Sequence, residues 1–330
     1  FGIVFFASYG QTFFISLFNA EIRSFYKLTD GEFGLIYALG TLSSSLILIG
    51  FAKLIDYIDL RIYSFIISIG LTFSCLGLYI SYNSTIFLFF ILFGLRFFGQ
   101  GAMSHAGETT MARYFGKNRG KAISVSTFGG MIGVMILPII VVNLLYMVGW
   151  QEVWLISSFS ILIFFTPIIF FTLKNQKIRH LNFTRSLHDK NIQKKLRTRD
   201  VATNKKFFIY LPISVATPFI STGLTFHQIF IIGQKGWTLQ MLSQGFIFLG
   251  FFSIIGAIFG GPIIDKYNTS KVIIFTLIPL FFAILTLIFF ESNFSMFLYM
   301  SLLGLNLGIS IPFIGSLWAE LFDLESLGTV

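Results

Sequence analysis

Ten apolar runs follow one another along the chain, at about 1–19, 32–54, 62–81, 86–111, 121–147, 152–173, 207–230, 239–263, 271–290 and 295–319. Each approaches or exceeds the roughly 20 residues that cross a bilayer as a helix. Thr29 and Thr238 stand just before the second and eighth runs. A hydroxyl there takes a backbone N–H of the first turn, so both are expected N-caps. Polar positions inside the runs are few and periodic. Ser8, Gln11, Thr12, Ser16 and Asn19 recur at spacings of three and four and make one stripe on the first predicted helix. Ser214, Pro218, Ser221, Thr225 and Gln228 make a similar stripe on the seventh. Pro218 removes one backbone hydrogen bond and predicts a bend there. Lys174 to Lys206 is the one long polar segment. It is basic, lacks sustained apolar periodicity and reads as a linker with room for a short surface helix. The predicted organisation is all-α and polytopic. A six-helix bundle at 1–173 is followed by a basic cytoplasmic linker at 174–206. Four helices of an incomplete second bundle follow at 207–330.

Composition agrees with a membrane chain. Hydrophobic residues make up 55% and charged residues 11%, against about 25% charged in soluble domains. The net charge of +9 invites a nucleic-acid reading, but the charge is segregated. With the N-terminus in the cytoplasm, the inside holds Lys53, Arg61, Arg113, Lys117, Arg119, Lys121, the linker, Lys266 and Lys271. The outside keeps only Arg23, Lys27 and Lys235, and Arg96 lies within a span. That asymmetry is the positive-inside rule. The basic residues orient the chain and meet the anionic lipid surface, and no nucleic-acid partner is expected. Cys75 is the only cysteine, so no disulfide or thiolate metal site forms within one chain. The first apolar run lacks a basic n-region and is not a signal peptide. The chain begins with Phe and stops just after a charged turn, and it reads as a fragment cut at both ends. Its 44 Phe, with many Ile, Lys and Asn, point to an AT-rich bacterial genome and hence to the inner membrane.

Two charged turns look like copies of each other. A-K-L-I-D-Y-I-D-L-R runs from Ala52 to Arg61, and G-P-I-I-D-K-Y-N-T-S-K from Gly261 to Lys271. Y-G-Q-T-F-F (Tyr9 to Phe14) likewise resembles T-G-L-T-F-H (Thr222 to His227). Leu28 to Asp56 aligns with Trp237 to Asp265 without a gap, and Ala112 to Gly120 is echoed by Trp318 to Gly328. Parallel repeats joined by a basic loop are a transporter architecture.

On these residues the chain resembles the major facilitator superfamily over its whole length. The family's turn after span 2 reads G-x-L-A-D-R-x-G-R-R. Asp56 and Arg61 match it, while Ala52 and Asp59 stand where glycines are usual. The second turn keeps Gly261 and Asp265. The family has twelve spans, so spans 11 and 12 are expected to be missing. The resemblance implies that spans 1, 4, 7 and 10 line a central cavity and that Asp56 and Asp265 are gate residues. A carboxylate there docks on a helix N-terminus, which carries about half a positive charge. Asp265 is then expected near residues 120–122, and Asp56 near the missing span 11. A solvated loop charge is the plainer role for both.

Arg96, in G-L-R-F-F-G-Q-G (Gly94 to Gly101), is the most informative residue. A charge at mid-membrane costs at least about 2.5–3.5 kcal/mol, so it needs a cavity or a partner. The family carries an Arg followed by glycines in span 4, with the glycines one residue later. Two roles fit. Arg96 binds an anionic substrate group or joins proton coupling, or it anchors backbone carbonyls of a neighbouring helix. At 100° per residue, Gln100 shares its side of the helix and His105 faces away. Glu108, near the cytoplasmic end, fits a gate network with Arg113 or Arg119. Gln11, Thr12, Ser221 and Thr225 fit either a substrate cavity or hydrogen bonding between helices. Gly129, Gly130 and Gly133 in span 5 permit close helix contact but do not make the G-P-x-x-G-G pattern of the family's drug antiporters. Trp150 and Trp154 are expected at the outer interface.

No H-E-x-x-H, Walker loop or G-x-S-x-G occurs. No enzyme activity, cofactor or metal is expected, and transport must run on a gradient. The expectation is a monomeric secondary active transporter working by alternating access. Its cargo is a small organic solute, with an organic anion favoured by Arg96. Proton coupling, uniport and anion exchange all stay open. A drug or metabolite exporter of the same fold and a non-transporting membrane sensor or scaffold are the alternatives.

Overall fold

The computed structural model describes residues 1–114, 119–173, 204–267 and 269–321. The expected linker falls outside them up to residue 203, as do residues 322–330. Among the described residues every regular element is helical. The chain divides into two compact units, Phe1–Asp189 and Lys190–Val330.

In the first unit the helices are α1 (Gly2–Gly10), α2 (Thr12–Tyr26), α3 (Asp30–Ile55), α4 (Leu60–Ile80), α5 (85–114), α6 (Arg119–Met147) and α7 (Trp150–Thr172). In the second they are α8 (Lys205–Phe226), α9 (Gln228–Lys235), α10 (Leu239–Lys266), α11 (269–289) and α12 (Asn293–Leu321). Helix covers all ten apolar runs. Among the described residues seven helices are long and apolar enough to cross a bilayer, or eight if α1 and α2, bent by 47° at their break, count as one span. The seventh run is two helices, because α8 stops at His227 before α9 begins. Their outward faces are apolar, with Leu42, Leu46, Phe171 and Phe219 all exposed, as lipid requires.

Local chemistry sets the helix starts. Thr29 caps α3 in a reciprocal box: its hydroxyl takes the Glu32 N–H, and the Glu32 carboxylate takes the Thr29 N–H. Thr238 takes the Met241 N–H at the start of α10. Both expected N-caps are therefore present. Asp59 caps α4 through the Arg61 N–H, and Ser84 caps α5. Gly149 precedes α7 at φ +98°, a conformation that a Cβ disfavours.

Lipid supplies no hydrophobic drive between helices, so close packing of small residues takes its place. A Cβ on Gly10 would lie 2.1 Å from the Leu95 carbonyl oxygen and 2.7 Å from Gly99 Cα, so α1 and α5 touch backbone to backbone. Gly129 and Gly133 bring α6 equally close to α1, at Phe1 and Ser8. In the second unit Gly304 and Gly308 of α12 press on the backbone of Leu249 and Ser253 in α10. Aromatic rings fill the first unit's core. Trp154 meets Phe14 at 5.3 Å and Phe18 at 4.8 Å, and Phe6 stacks on Phe165 at 4.9 Å. Trp154 is fully buried, not interfacial as its place in the sequence suggests, because the ring face of α2 packs over it.

Three departures from α geometry matter below. Gln11 is extended (φ −80°, ψ 152°) and breaks α1 from α2. Leu95–Met103 of α5 is π-helical. Ile273–Leu277 of α11 is a 3-10 stretch.

The Gly10–Gly99 contact yields a direct test. Gly10→Val is expected to force α1 off α5 and to cost about 3 kcal/mol or more, beyond the usual range for overpacking. Gly2→Ala meets nothing within 4 Å and is expected to be neutral. Thermal unfolding of the purified variants checks the pair, and equal midpoints would contradict the packing described.

Candidate functional site

The break at Gln11 opens the end of α1. Gly10 ends the first segment and its carbonyl lacks an onward helical partner. Arg96 reaches it from α5: Nη1 donates to the Gly10 carbonyl at 3.1 Å and to Thr12 Oγ1 at 3.2 Å. One guanidinium nitrogen therefore bridges both sides of the break. Nε donates to Thr41 Oγ1 at 3.1 Å, and the guanidinium lies over the Tyr37 ring, 5.2 Å from its centre. Tyr37 in turn donates its hydroxyl to Thr12 Oγ1 at 2.9 Å. Thr41 lies one turn beyond Tyr37 on α3, so both project toward α5.

The electrostatics are uneven. Arg96 is 4% exposed, and its partners are a carbonyl, the hydroxyls of Thr12, Thr41 and Tyr37, and the Tyr37 ring. Among the described residues the ion pairs are Arg23–Asp30 and Arg61–Asp59, and no carboxylate pairs with Arg96. The first segment contributes partial negative charge at its carbonyl end, which suits a cation, but that is less than a full counter-charge.

The other expected binding residues in this unit stand nearby in sequence but differ in environment. Thr12 is buried in the Arg96 cluster, while Gln11 is half-buried at the break itself. Gln100 is half-buried, and its Oε1 is shut off from solvent with no hydrogen-bond partner. A wheel at 100° per residue does not hold across Leu95–Met103, because a π-helix bonds i to i+5 and turns less per residue. The angles drawn from Arg96 to Gln100 and His105 shift accordingly. His105 shares a hydrogen bond with Thr109, one turn along its own helix.

The second unit holds a neutral counterpart. Asn306 of α12 is fully buried. Its Nδ2 donates to the Thr276 carbonyl at 2.8 Å, in the 3-10 stretch of α11, and to Thr217 Oγ1 of α8 at 3.2 Å. Ser310 Oγ lies 3.4 Å from the same nitrogen. Asn306 Oδ1 accepts nothing. Ser221 is buried with its hydroxyl unpaired, and Thr225 donates to the Ser221 carbonyl on its own helix. Of the expected stripe, Ser214, Ser221 and Gln228 are buried and Pro218 is exposed, while Thr217, outside the stripe, is buried as well.

Of the expected gate residues, Arg61 is half-buried and bonded to Asp59 through Nη2 and Nε. Glu108 is exposed on α5. Asp56, Arg113, Arg119 and Asp265 lie on helical backbone, but their side chains fall outside the described part of the structure. The sequence reading passed over Tyr37, Thr41, Asn306 and Glu320. Glu320 accepts from the Thr269 N–H at 3.0 Å and from the Thr269 hydroxyl, and so caps α11 from α12. Tyr37 and Thr41, spaced by four on an apolar helix, carried a legible signal. Asn306, alone among leucines and glycines, carried a weaker one. Among the described residues no cluster of three or more His, Cys, Asp or Glu forms a metal site.

Comparison with known proteins places this geometry. No curated protein matches the chain. Among solved structures, it is similar to a bacterial homolog of the human lysosomal transporter Spinster in an inward-facing, unoccupied conformation. The TM-score is 0.64 at 14% identity, over 98% of this chain and 75% of that one. The occupied form of that homolog gives 0.59 at 14% identity, over 94% and 71%. The inward-open xylose transporter XylE from E. coli gives 0.61 at 12% identity, over 100% and 88%. These likenesses concern the fold. A family model described as Major Facilitator Superfamily matches residues 1–330. The broken first span, the buried arginine of α5 and the helical units around them are thus parts of a membrane transporter, and the chain belongs to the Major Facilitator Superfamily.

Proposed function

We propose that this transporter moves a small organic anion by gradient-driven alternating access, with Arg96 as the residue that meets the anionic group. One observation carries the reading: a guanidinium 4% exposed that is held by neutral groups alone. A buried charge without a counter-charge is costly, and an anion arriving from outside the protein relieves that cost. A guanidinium also suits a carboxylate, since its planar fork matches two oxygens at once. Gln100 and Gln11 supply neutral polar contacts beside it, and Thr12 fixes its orientation. Ser221 and Thr225 are assigned to the binding surface of the second unit. The gate residues Asp56, Arg61, Asp265, Glu108, Arg113 and Arg119 are assigned on the family's charged-turn pattern. The segregation of Lys and Arg supports a cytoplasmic N-terminus and linker.

Uptake of a panel of small mono- and dicarboxylates into proteoliposomes carrying the whole protein tests the assignment. Arg96→Gln is expected to lower uptake of the transported acid by about tenfold or more, the loss of one charged hydrogen bond. Arg96→Lys is expected to retain part of the rate at a raised KM, because an ammonium lacks the fork. Wild-type uptake by Arg96→Gln would remove the anion role.

A second measurement concerns the clasp around the guanidinium. Thr12→Val deletes the acceptor shared by Arg96 and Tyr37 and is expected to lower stability by about 1–3 kcal/mol. Tyr37→Phe removes the donor to Thr12 and the hydroxyl beside Arg96 but keeps the ring, and is expected to cost about 1 kcal/mol. Thermal unfolding in detergent orders the two; the reverse order would contradict a shared acceptor at Thr12.

A further inference from the structure

One carboxylate of the first unit faces an aromatic cleft and, among the described residues, pairs with no cation. Glu21 is half-buried on α2. It lines a surface cleft of about 430 Å³ together with Ala20, Ser24, Phe25 and Trp150. Phe25 and Trp150 meet edge to face at 5.9 Å and form one wall. Phe18, one turn before Glu21, meets Trp154, one turn after Trp150, at 4.8 Å. Glu21 thus lies along α2 between Phe18 and Phe25, whose rings join α2 to α7. Its Oε2 is shut off from solvent and accepts no hydrogen bond. The basic residue beside it is engaged elsewhere: Arg23 Nε donates to Asn19 at 2.7 Å, and Nη1 pairs with Asp30 at 2.9 Å. Among the described residues no cation pairs with Glu21.

This chemistry selects a ligand class. An anion is repelled by the carboxylate. A hard metal ion needs six or so oxygen ligands, and the cleft offers one carboxylate and the Ser24 hydroxyl. A wholly apolar guest leaves the charge of Glu21 without a counter-ion at the cleft. A small organic ammonium satisfies both halves of the cleft, its charge against Glu21 and its alkyl groups against the rings of Phe25 and Trp150. We infer that this cleft is a binding site for a small organic ammonium ion. It is separate from the Arg96 centre: Glu21 stands nine residues after Thr12, about 14 Å along a helix.

The test uses tetramethylammonium chloride as the probe and the tryptophan fluorescence of the whole purified protein as the readout, with sodium chloride at matched ionic strength. Wild type is expected to show a saturable change with tetramethylammonium and none with sodium. Glu21→Gln, which keeps the shape, is expected to weaken binding by about tenfold or more. Trp150→Phe is expected to keep the fold and abolish most of the signal. Loss of response in both variants with unchanged thermal midpoints supports the site. A response equal in wild type and Glu21→Gln overturns it. So does a wild-type signal that follows pH through Glu21 but ignores tetramethylammonium, which would make the carboxylate a proton site alone. Carboxylate uptake in the same preparations is expected to be unchanged by Glu21→Gln, so failure of this site and failure of the Arg96 assignment are read separately.

Discussion

A carbonyl opened inside a bilayer has no water to turn to and must find its donor within the protein. The first unit is arranged around one such carbonyl. Gln11 takes an extended conformation, α1 ends, and the Gly10 oxygen is left pointing out of the helix. Arg96 answers it, and the surrounding features serve that contact. The glycine pair Gly10–Gly99 lets α1 and α5 approach until their backbones touch. The π-helical widening of α5 spans the same level. Tyr37 and Thr41 from α3 complete the guanidinium's surroundings. Three spans, the broken α1–α2, α3 and α5, are thereby fixed to one another through a single side chain.

The second unit meets the same constraint without charge. Its strained stretch is the 3-10 segment of α11, and the Thr276 carbonyl there is taken by the Asn306 amide. Both solutions draw on a threonine hydroxyl from the unit's first span, Thr12 in one and Thr217 in the other. The difference is consequential. An amide is satisfied by neutral partners, whereas a guanidinium held only by neutral partners keeps a field around it. The two units thus share a packing solution and differ in what they offer a charged solute.

Much of this fold was legible in the residues. Runs of about 20 apolar residues give the helices, since a helix needs that length to cross a bilayer with its backbone satisfied, and Thr29 and Thr238 mark two starts through capping chemistry that is local in sequence. Arg96 stood out because charge in a span is expensive. Its Gly10 partner did not, because that carbonyl is freed by a break at Gln11 that no proline or glycine at that residue announces. The π-helical stretch hid the true facing of Gln100, since a wheel assumes regular turns. Trp154 misled for a related reason. A tryptophan near a span end usually settles at the membrane surface, but Phe14 and Phe18 cover this one. Glu21 escaped notice because it lies among other charged residues near a span end, and only three-dimensional contact shows that Arg23 is spent on Asn19 and Asp30.

Chain order gives the Arg96 cluster a further property. Gly10, Thr12, Tyr37 and Thr41 all precede Arg96 in the sequence. A chain made from its N-terminus delivers its segments in that order. The receiving groups are therefore in the bilayer before the guanidinium arrives, and the arginine enters a prepared berth. In the other unit Thr217 and Thr276 likewise precede Asn306. The order of residues in the gene acts as an assembly schedule, in which the polar group hardest to place in lipid comes after those that shelter it.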